Sequence, residues 1–279
     1  MHRIIDSHQH FWKYNPEEYG WIGPQMQTLR RDFLPEHLAS ERKETGVDQS
    51  IAVQARSTVD ETEWLLRLAE TNDSIAGVVG WVPLSAPDGH QEIERFAAHP
   101  KLVGLRHVVQ DEPDDRYLLR PDFNAGVASL RRFGLIYDIL IFERHLSAAI
   151  EFVDRHPSQV FVLDHIAKPR VCEGALSPWL ENMKELARRS NVYCKLSGMV
   201  TEANWKAWKS GDLRPYFDVV LEAFTPKRIM FGSDWPVLLV ASTYHGWFST
   251  VKNATAGLTD TEQNRIWGGT AAEAYGLTD

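Results

Sequence analysis

The feature that most constrains this chain is a recurrence. Eight short runs rich in β-branched and apolar residues are each bounded by turn residues and each followed by a stretch with helical periodicity. The runs are Arg3–Ser7, Gln49–Gln54, Ala76–Val82, Leu102–Val109, Leu135–Phe142, Val160–Asp164, Val192–Leu196 and Arg228–Gly232. Strands that alternate with helices imply parallel pairing through crossover helices. The intervening segments agree, since Trp64, Leu65, Leu68 and Ala69, or Ile150, Phe152 and Val153, put apolar side chains on one helical face with charges on the other. Strand starts recur every ~25–45 residues, and eight such units close an α/β barrel of the (β/α)8 TIM type. A single domain over residues 1–279 is expected, because α/β barrels of this length are commonly one unit. A doubly wound open sheet is the other architecture this alternation allows, but no Gly-rich fingerprint follows an early strand.

Composition excludes several functions. With 43% hydrophobic and 24% charged residues the chain can build a large core, while a net charge of -8 disfavours nucleic acid and anionic lipid as partners. No apolar run approaches the ~20 residues that cross a bilayer, and the first strand begins almost at Met1, so a cytoplasmic protein without a membrane partner is expected, as monomer or homodimer. Cys172 and Cys194 form no C-x-x-C pattern and read as small packed side chains.

The longest connection, Phe11 to Asp48, carries Trp12, Tyr14, Tyr19 and Trp21 before a helix expected near Pro35. Long loops are usually functional or disordered, and four aromatics argue for order, so this β1–α1 loop, at about 11–34, is expected to fold over the barrel mouth. Trp12, Trp21, Trp81 and Trp235 all fall beside strand ends, where a flat apolar face can serve core packing or a ring-shaped ligand. Thr259 to Tyr275 reads as a terminal helix, with Thr259 as cap and Glu262 three residues on.

Side chains alternate along a strand, so His8 and His10 project to one face and Gln9 to the other, at the strand end where barrel enzymes place catalytic groups. The last strand ends in Gly232-Ser233-Asp234-Trp235-Pro236, which sets a carboxylate at the equivalent edge. Barrel closure makes the first and last strands neighbours, and His8, His10 and Asp234 then converge. The other strand ends supply Gln54 and Arg56, Arg106 and His107, Asp138, Asp164, His165 and Lys168, then Lys195 and Ser197. Of these, Arg56, His107 and Asp164 are expected as solvated rim residues. His165 stands out, because an apolar strand delivers it and Pro169 then forces the chain out of regular structure.

Three motifs, Asp-Ser-His-Gln-His-Phe-Trp at 6–12, Leu-Asp-His-Ile-Ala-Lys-Pro at 163–169 and Gly-Ser-Asp-Trp-Pro at 232–236, carry a resemblance that spans nearly the whole chain. In this order they resemble the amidohydrolase superfamily, in its sugar-lactonase branch of fuconolactonase-like and rhamnonolactonase-like proteins. The resemblance implies that His8 and His10 are the first-strand pair, His165 the sixth-strand histidine and Asp234 the carboxylate that acts on water. Binuclear members place a Lys or Glu on strand four and a His on strand five. This chain has Arg106 with His107 and then Asp138, so a two-metal centre is not expected.

The implied reaction is opening of a sugar lactone, an aldono-1,4- or 1,5-lactone such as L-fuconolactone, to the free acid. That needs a deprotonated water, donors aimed at the developing oxyanion and a proton for the leaving ring oxygen. Asp234 is the expected base, its pKa raised by burial, and also returns the proton. The carbonyl is polarised either by one Zn²⁺ held by His8, His10 and Asp234 with His165, or by His165, Lys168 and Arg106 alone. The resemblance implies that zinc is not essential. Trp12, Trp21, Trp81 and Trp235 are expected to face sugar C–H groups, and Gln54, Arg106, Lys168 and Lys195 to bind hydroxyls or the product carboxylate. Two other readings are a metal-dependent decarboxylase or C–C hydrolase of a small carboxylic acid, and a non-catalytic ligand-binding barrel.

Overall fold

The computed structural model describes residues 3–277. Its strands are β1 (Ile5–Gln9), β2 (Gln49–Val53), β3 (Ile75–Gly80), β4 (Leu102–Val108), β5 (Ile136–Leu140), β6 (Phe161–Leu163), β7 (Val192–Leu196) and β8 (Ile229–Phe231). They pair in chain order as one eight-stranded parallel sheet. β1 and β8 meet at the seam, where the His10 N–H donates to the Trp235 carbonyl at 2.6 Å, the Asp234 N–H to the His8 carbonyl at 2.7 Å, and Ser7 Oγ to the Phe231 carbonyl at 2.6 Å. The sheet thus curls into the (β/α)8 barrel that the strand-helix alternation implied.

Helices α1 (Pro35–Thr45), α2 (Val59–Thr71), α3 (Gly89–Ala97), α4 (Pro121–Leu130), α5 (Leu146–Arg155), α6 (Trp179–Leu186), α7 (Ser210–Phe224) and α8 (Tyr244–Ala254) follow successive strands. Two short helices, α9 (Asp260–Asn264) and α10 (Thr270–Ala274), end the described chain. Among the described residues, no helix is long and apolar enough to cross a membrane.

Period-two alternation divides the strands between two cores. Along β5, Tyr137 and Ile139 join the core beneath the helices, whereas Ile136 joins a separate cluster inside the barrel. That inner cluster contains Ile5, Ile51, Val53, Val79, Val162 and Met230, together with Ala271, Ala274 and Tyr275 from the C-terminal segment. Tyr275 then reaches past the apolar layer, its hydroxyl donating to Asp138 at 3.0 and 2.9 Å.

Two differences from the sequence reading have local causes. β1 starts two residues later than expected and runs to Gln9, because its pairing with β2 extends to Ala52. The terminal helix keeps its cap, with the Thr259 N–H donating to Glu262 Oε2 at 2.9 Å, but breaks over Arg265–Gly269. Gly268 lies so close to β1 that a Cβ there would sit 2.1 Å from the Arg3 carbonyl oxygen.

Candidate active site

β1 delivers both imidazoles to one point. His8 Nε2 and His10 Nε2 are 3.2 Å apart, and Asp234 Oδ1 lies 3.3 Å from His10 Nε2 and 3.8 Å from His8 Nε2. Gln9, between them, points the other way and donates to Ser50 Oγ at 3.2 Å. His165, just past β6, sets Nε2 3.8 Å from the same Asp234 oxygen, while its Nδ1 is 2.8 Å from Ser197 Oγ. Chain closure therefore brings residues from both ends of the sequence into one group.

Inside the barrel and beneath this group lies a layer of buried charge. Asp164 pairs with Arg106 Nη1 at 2.9 Å and with Lys195 Nζ at 2.9 Å, and Lys195 also holds Asp138 at 2.5 Å. Burial opposes ionisation of Asp164, but Lys195, His8 and Arg106 together hold its carboxyl well below the usual range. Asp164 is therefore an enclosed anion and not the rim residue expected from sequence. His8 Nδ1 sits 3.2 Å from both Asp164 Oδ1 and Lys195 Nζ. Burial, with Lys195 and His10 adding to it, keeps His8 neutral, its pKa well below the ordinary imidazole value. His165 is likewise held neutral, mainly by burial.

Asp234 behaves differently from the expectation that burial raises it. Burial does push upward, but the neighbouring His165 and His10 and the Lys168 charge outweigh it and hold the carboxyl below its ordinary value. Asp234 is thus ionised at neutral pH, with its strength as a base limited by the groups that position it.

Strained backbone marks the same place. His165, Ile166, Ala167 and Lys168 all have positive φ, between 47° and 61°, and form one left-handed turn closed by the Lys168 N–H on the His165 carbonyl at 2.8 Å. Asp234 also has a φ of 61°. For L-residues this region costs roughly 1–2 kcal/mol each, and such strain persists where the surrounding structure enforces it. Trp179 Nε1 donates to the Ile166 carbonyl at 2.7 Å, and Ile166 and Ala167 are buried, which pins the turn. Gly198 makes room for it: with φ at +65°, an added Cβ would lie 2.6 Å from the His165 ring. Gly198→Ala is expected to push His165 off Ser197 and lower kcat/KM by about 100-fold while the barrel still folds, because a misplacement near 1 Å costs that much. Steady-state kinetics beside a melting curve check this, and unchanged kinetics would remove His165 from the working site.

A cavity of about 900 Å³ opens over these groups, lined by His10, Gln54, Arg106, His165, Lys168 and Asp234 among others. Arg106 donates to Gln54 Oε1 at 3.0 Å and also to the Gln54 carbonyl. This fixes the amide orientation and leaves Gln54, a residue of the cavity lining, with its Nε2 a buried donor without a partner. Lys195, fully buried, is not among the lining residues. Nor are Trp12, Trp81 and Trp235. Trp12 packs on Tyr19, Trp21 and Phe33, with its Nε1 on the Arg31 carbonyl at 2.9 Å, and Trp235 packs on Phe11 and Phe33. Trp81 Nε1 donates to His107 Nδ1 at 3.1 Å. Trp21 does line the cavity and is 40% exposed, so the aromatic β1–α1 loop presents one ring to the cavity and packs the others beneath it. His107 and Arg56, expected at the solvated rim, also line it, paired with Glu112 at 2.6 Å and Glu18 at 2.7 Å. Sequence reasoning missed Phe142, Trp205 and Glu202. The last two lie in the segment after β7, and position beyond a strand's C-terminal end was the available signal.

The donor set fits a divalent metal. His10 Nδ1 is 2.8 Å from the Val53 carbonyl, which only accepts, so the proton sits on Nδ1 and Nε2 offers a lone pair. His8 with its Nδ1 proton on Asp164 offers Nε2 in the same way, the outer contact common behind metal-binding imidazoles. Two lone pairs and a carboxylate oxygen at 3.2, 3.3 and 3.8 Å repel one another unless a cation lies among them. Ligand atoms around tetrahedral zinc, at bond lengths of roughly 2.0–2.1 Å, are about 3.3 Å apart. Two of the three separations among His8, His10 and Asp234 match that spacing and the third is longer, and Arg106 Nη1 lies 3.3 Å from His8 Nε2.

A closed α/β barrel that brings an H-x-H at the end of its first strand against an Asp after its last has the donor set of a hydrolase barrel able to hold a metal. The chain belongs to the amidohydrolase family, whose model matches residues 5–277, and lies in the branch that holds known sugar lactonases. It is 44% identical over 286 residues to an L-fucono-1,5-lactonase of Burkholderia multivorans, covering 99% of this chain and 96% of that protein. An L-fucono-1,5-lactonase of Burkholderia ambifaria is 34% identical over 278 residues, covering 97% and 94%. A crystal structure of an amidohydrolase from Burkholderia multivorans with bound zinc superposes with a TM-score of 0.95 at 44% identity, covering 99% of this chain and 100% of that one.

Proposed function

We propose that this chain is a lactonase that hydrolyses an aldono-1,4- or 1,5-lactone, such as L-fuconolactone, to the free sugar acid. The observation that carries the reading is Asp234, an ionised carboxylate fixed against His10 and His165 at the edge of a cavity that also offers unpaired donors. The similarity to two L-fucono-1,5-lactonases supports the substrate class.

Asp234 takes a proton from the attacking water as its oxygen adds to the lactone carbonyl. The Lys168 ammonium, the free Gln54 amide and Arg106 stand at the cavity surface as donors for the oxyanion and for sugar hydroxyls. Trp21 gives an apolar face for the sugar C–H groups. Lys195 acts indirectly, by orienting Asp164 and through it His8. His8, His10 and Asp234, with His165 beside them, are the residues that would hold one Zn²⁺, which would supply Lewis-acid polarisation of the carbonyl. A lactone is an activated ester, and we take zinc as an occupant this site accepts and the reaction does not require. Residues 1–279 would act as one cytoplasmic catalytic unit, monomeric or dimeric, with the sugar lactone as its partner.

A pH-indicator assay over a panel of aldono-lactones is expected to show acid release from at least one six-carbon member, before and after chelation. Silence across the panel with metal-replete protein would end the lactonase reading. Activity lost on chelation and restored by zinc would make the metal essential.

A further inference from the structure

Glu202 lies six residues beyond the end of β7 and lines the same cavity as Asp234, His165 and Lys168. Its carboxylate has no cation within salt-bridge distance among the described residues, and its nearest hydrogen-bond donor is the adjacent Thr201 hydroxyl at 3.5 Å. The fold does not need this side chain in place, because the link across this region, from the Cys172 N–H at 2.9 Å, goes to the Glu202 backbone carbonyl. A mostly buried carboxyl with a weak local partner, turned to a cavity that already holds a carboxylate, has no structural task.

We infer that Glu202 is the proton donor of the reaction, working opposite Asp234. This deepens the lactonase reading and rests on it. Asp234 removes a proton from water as the water oxygen bonds to the lactone carbonyl carbon. As the bond from that carbon to the ring oxygen breaks, Glu202 gives its proton to the departing oxygen, which becomes a sugar hydroxyl. The proton on Asp234 returns through solvent to Glu202, and the new carboxylic acid ionises, so one lactone and one water yield the acid anion and one released proton.

The surroundings of Glu202 support this role. Burial raises Glu202 above its ordinary value, Lys168 from the turn after β6 lowers it, Asp234 from the segment after β8 raises it, and Thr201 on its own loop lowers it. A carboxyl that favours its proton, lining the same cavity as Asp234 and without a cation partner among the described residues, is placed as a proton donor must be.

The test compares wild type with Glu202→Gln and Glu202→Asp on whichever aldono-lactone the wild type turns over best, across the pH range. The expected wild-type kcat/KM falls on the alkaline side as Glu202 loses its proton. E202Q should lower kcat by about 100-fold or more with KM little changed and the alkaline fall gone, and E202D should recover part of both. A raised KM with kcat and the alkaline limb intact would make Glu202 a hydroxyl-binding group and overturn the proposal, as would wild-type kinetics in E202Q. Melting curves identify any variant that fails to fold, in which case E202D carries the same comparison. If wild type is inactive on every aldono-lactone, the lactonase reading itself fails and takes this role with it; activity in wild type with an unaffected E202Q sinks Glu202 alone.

Discussion

Replacing Asp234 with Asn is expected to lower kcat on an aldono-lactone by about 10³–10⁴-fold, with KM and melting temperature nearly unchanged. Asn keeps the shape of the side chain, tolerates the positive φ that Asp234 adopts and offers an amide proton to the His10 Nε2 lone pair. What it lacks is the ability to take a proton from water. The sign of the pH dependence follows from the same contacts. Since His165, His10 and Lys168 outweigh burial and hold Asp234 below its ordinary value, the base stays ionised well into acid. The acid limb of wild-type kcat/KM should therefore lie below about pH 4. A fall already complete at pH 6 would mean that burial governs Asp234 after all. Turnover at the wild-type rate in the Asn variant would remove it from the chemistry.

The barrel and the convergence of His8, His10 and Asp234 were legible because both rest on periodicity: eight strand-helix units force closure, and a two-residue step keeps both imidazoles on one face. Depth inside the barrel was not legible. Lys195 and His165 both read as strand-end residues, yet Lys195 lies within β7 against Asp138 and Asp164, while His165 lies past β6 at the cavity. How far each strand end rises depends on the stagger of the sheet, which a single sequence does not state. The tryptophans illustrate a second limit, since Trp12, Trp81 and Trp235 sit beside strand ends as Trp21 does, but pack under the loop or against neighbours. An indole suits both settings. The left-handed turn at His165–Lys168 had no signal at all, for it includes Ile166, a residue type that resists positive φ. Glu202 follows an irregular segment after β7, where no pattern marks it.

The largest effect on stability is expected at Lys195, whose ammonium is fully buried against two carboxylates. Lys195→Met keeps most of the side-chain volume and deletes the charge. Asp164 still has Arg106 at 2.9 Å, but Asp138 is left with the Tyr275 hydroxyl as its partner. Breaking one side of a buried ion pair costs about 3–5 kcal/mol, which in a domain of this size lowers Tm by roughly 10 °C. Burial already holds Asp138 above the usual carboxyl range, and Lys195 is the main group pulling it back. Removing that pull raises the folded-state pKa further above the unfolded value, so the folded variant binds the extra proton more readily than the unfolded chain. Its stability then falls as pH rises through that window and recovers on the acid side. The deficit relative to wild type should be larger at about pH 8 than at about pH 5, and adding Asp138→Asn should return part of it by removing the stranded charge. Differential scanning calorimetry of the three proteins at both pH values measures this. A Tm within 2 °C of wild type at the higher pH, or a deficit that grows on acidification, would show that the Lys195 ion pairs do not hold the barrel interior together.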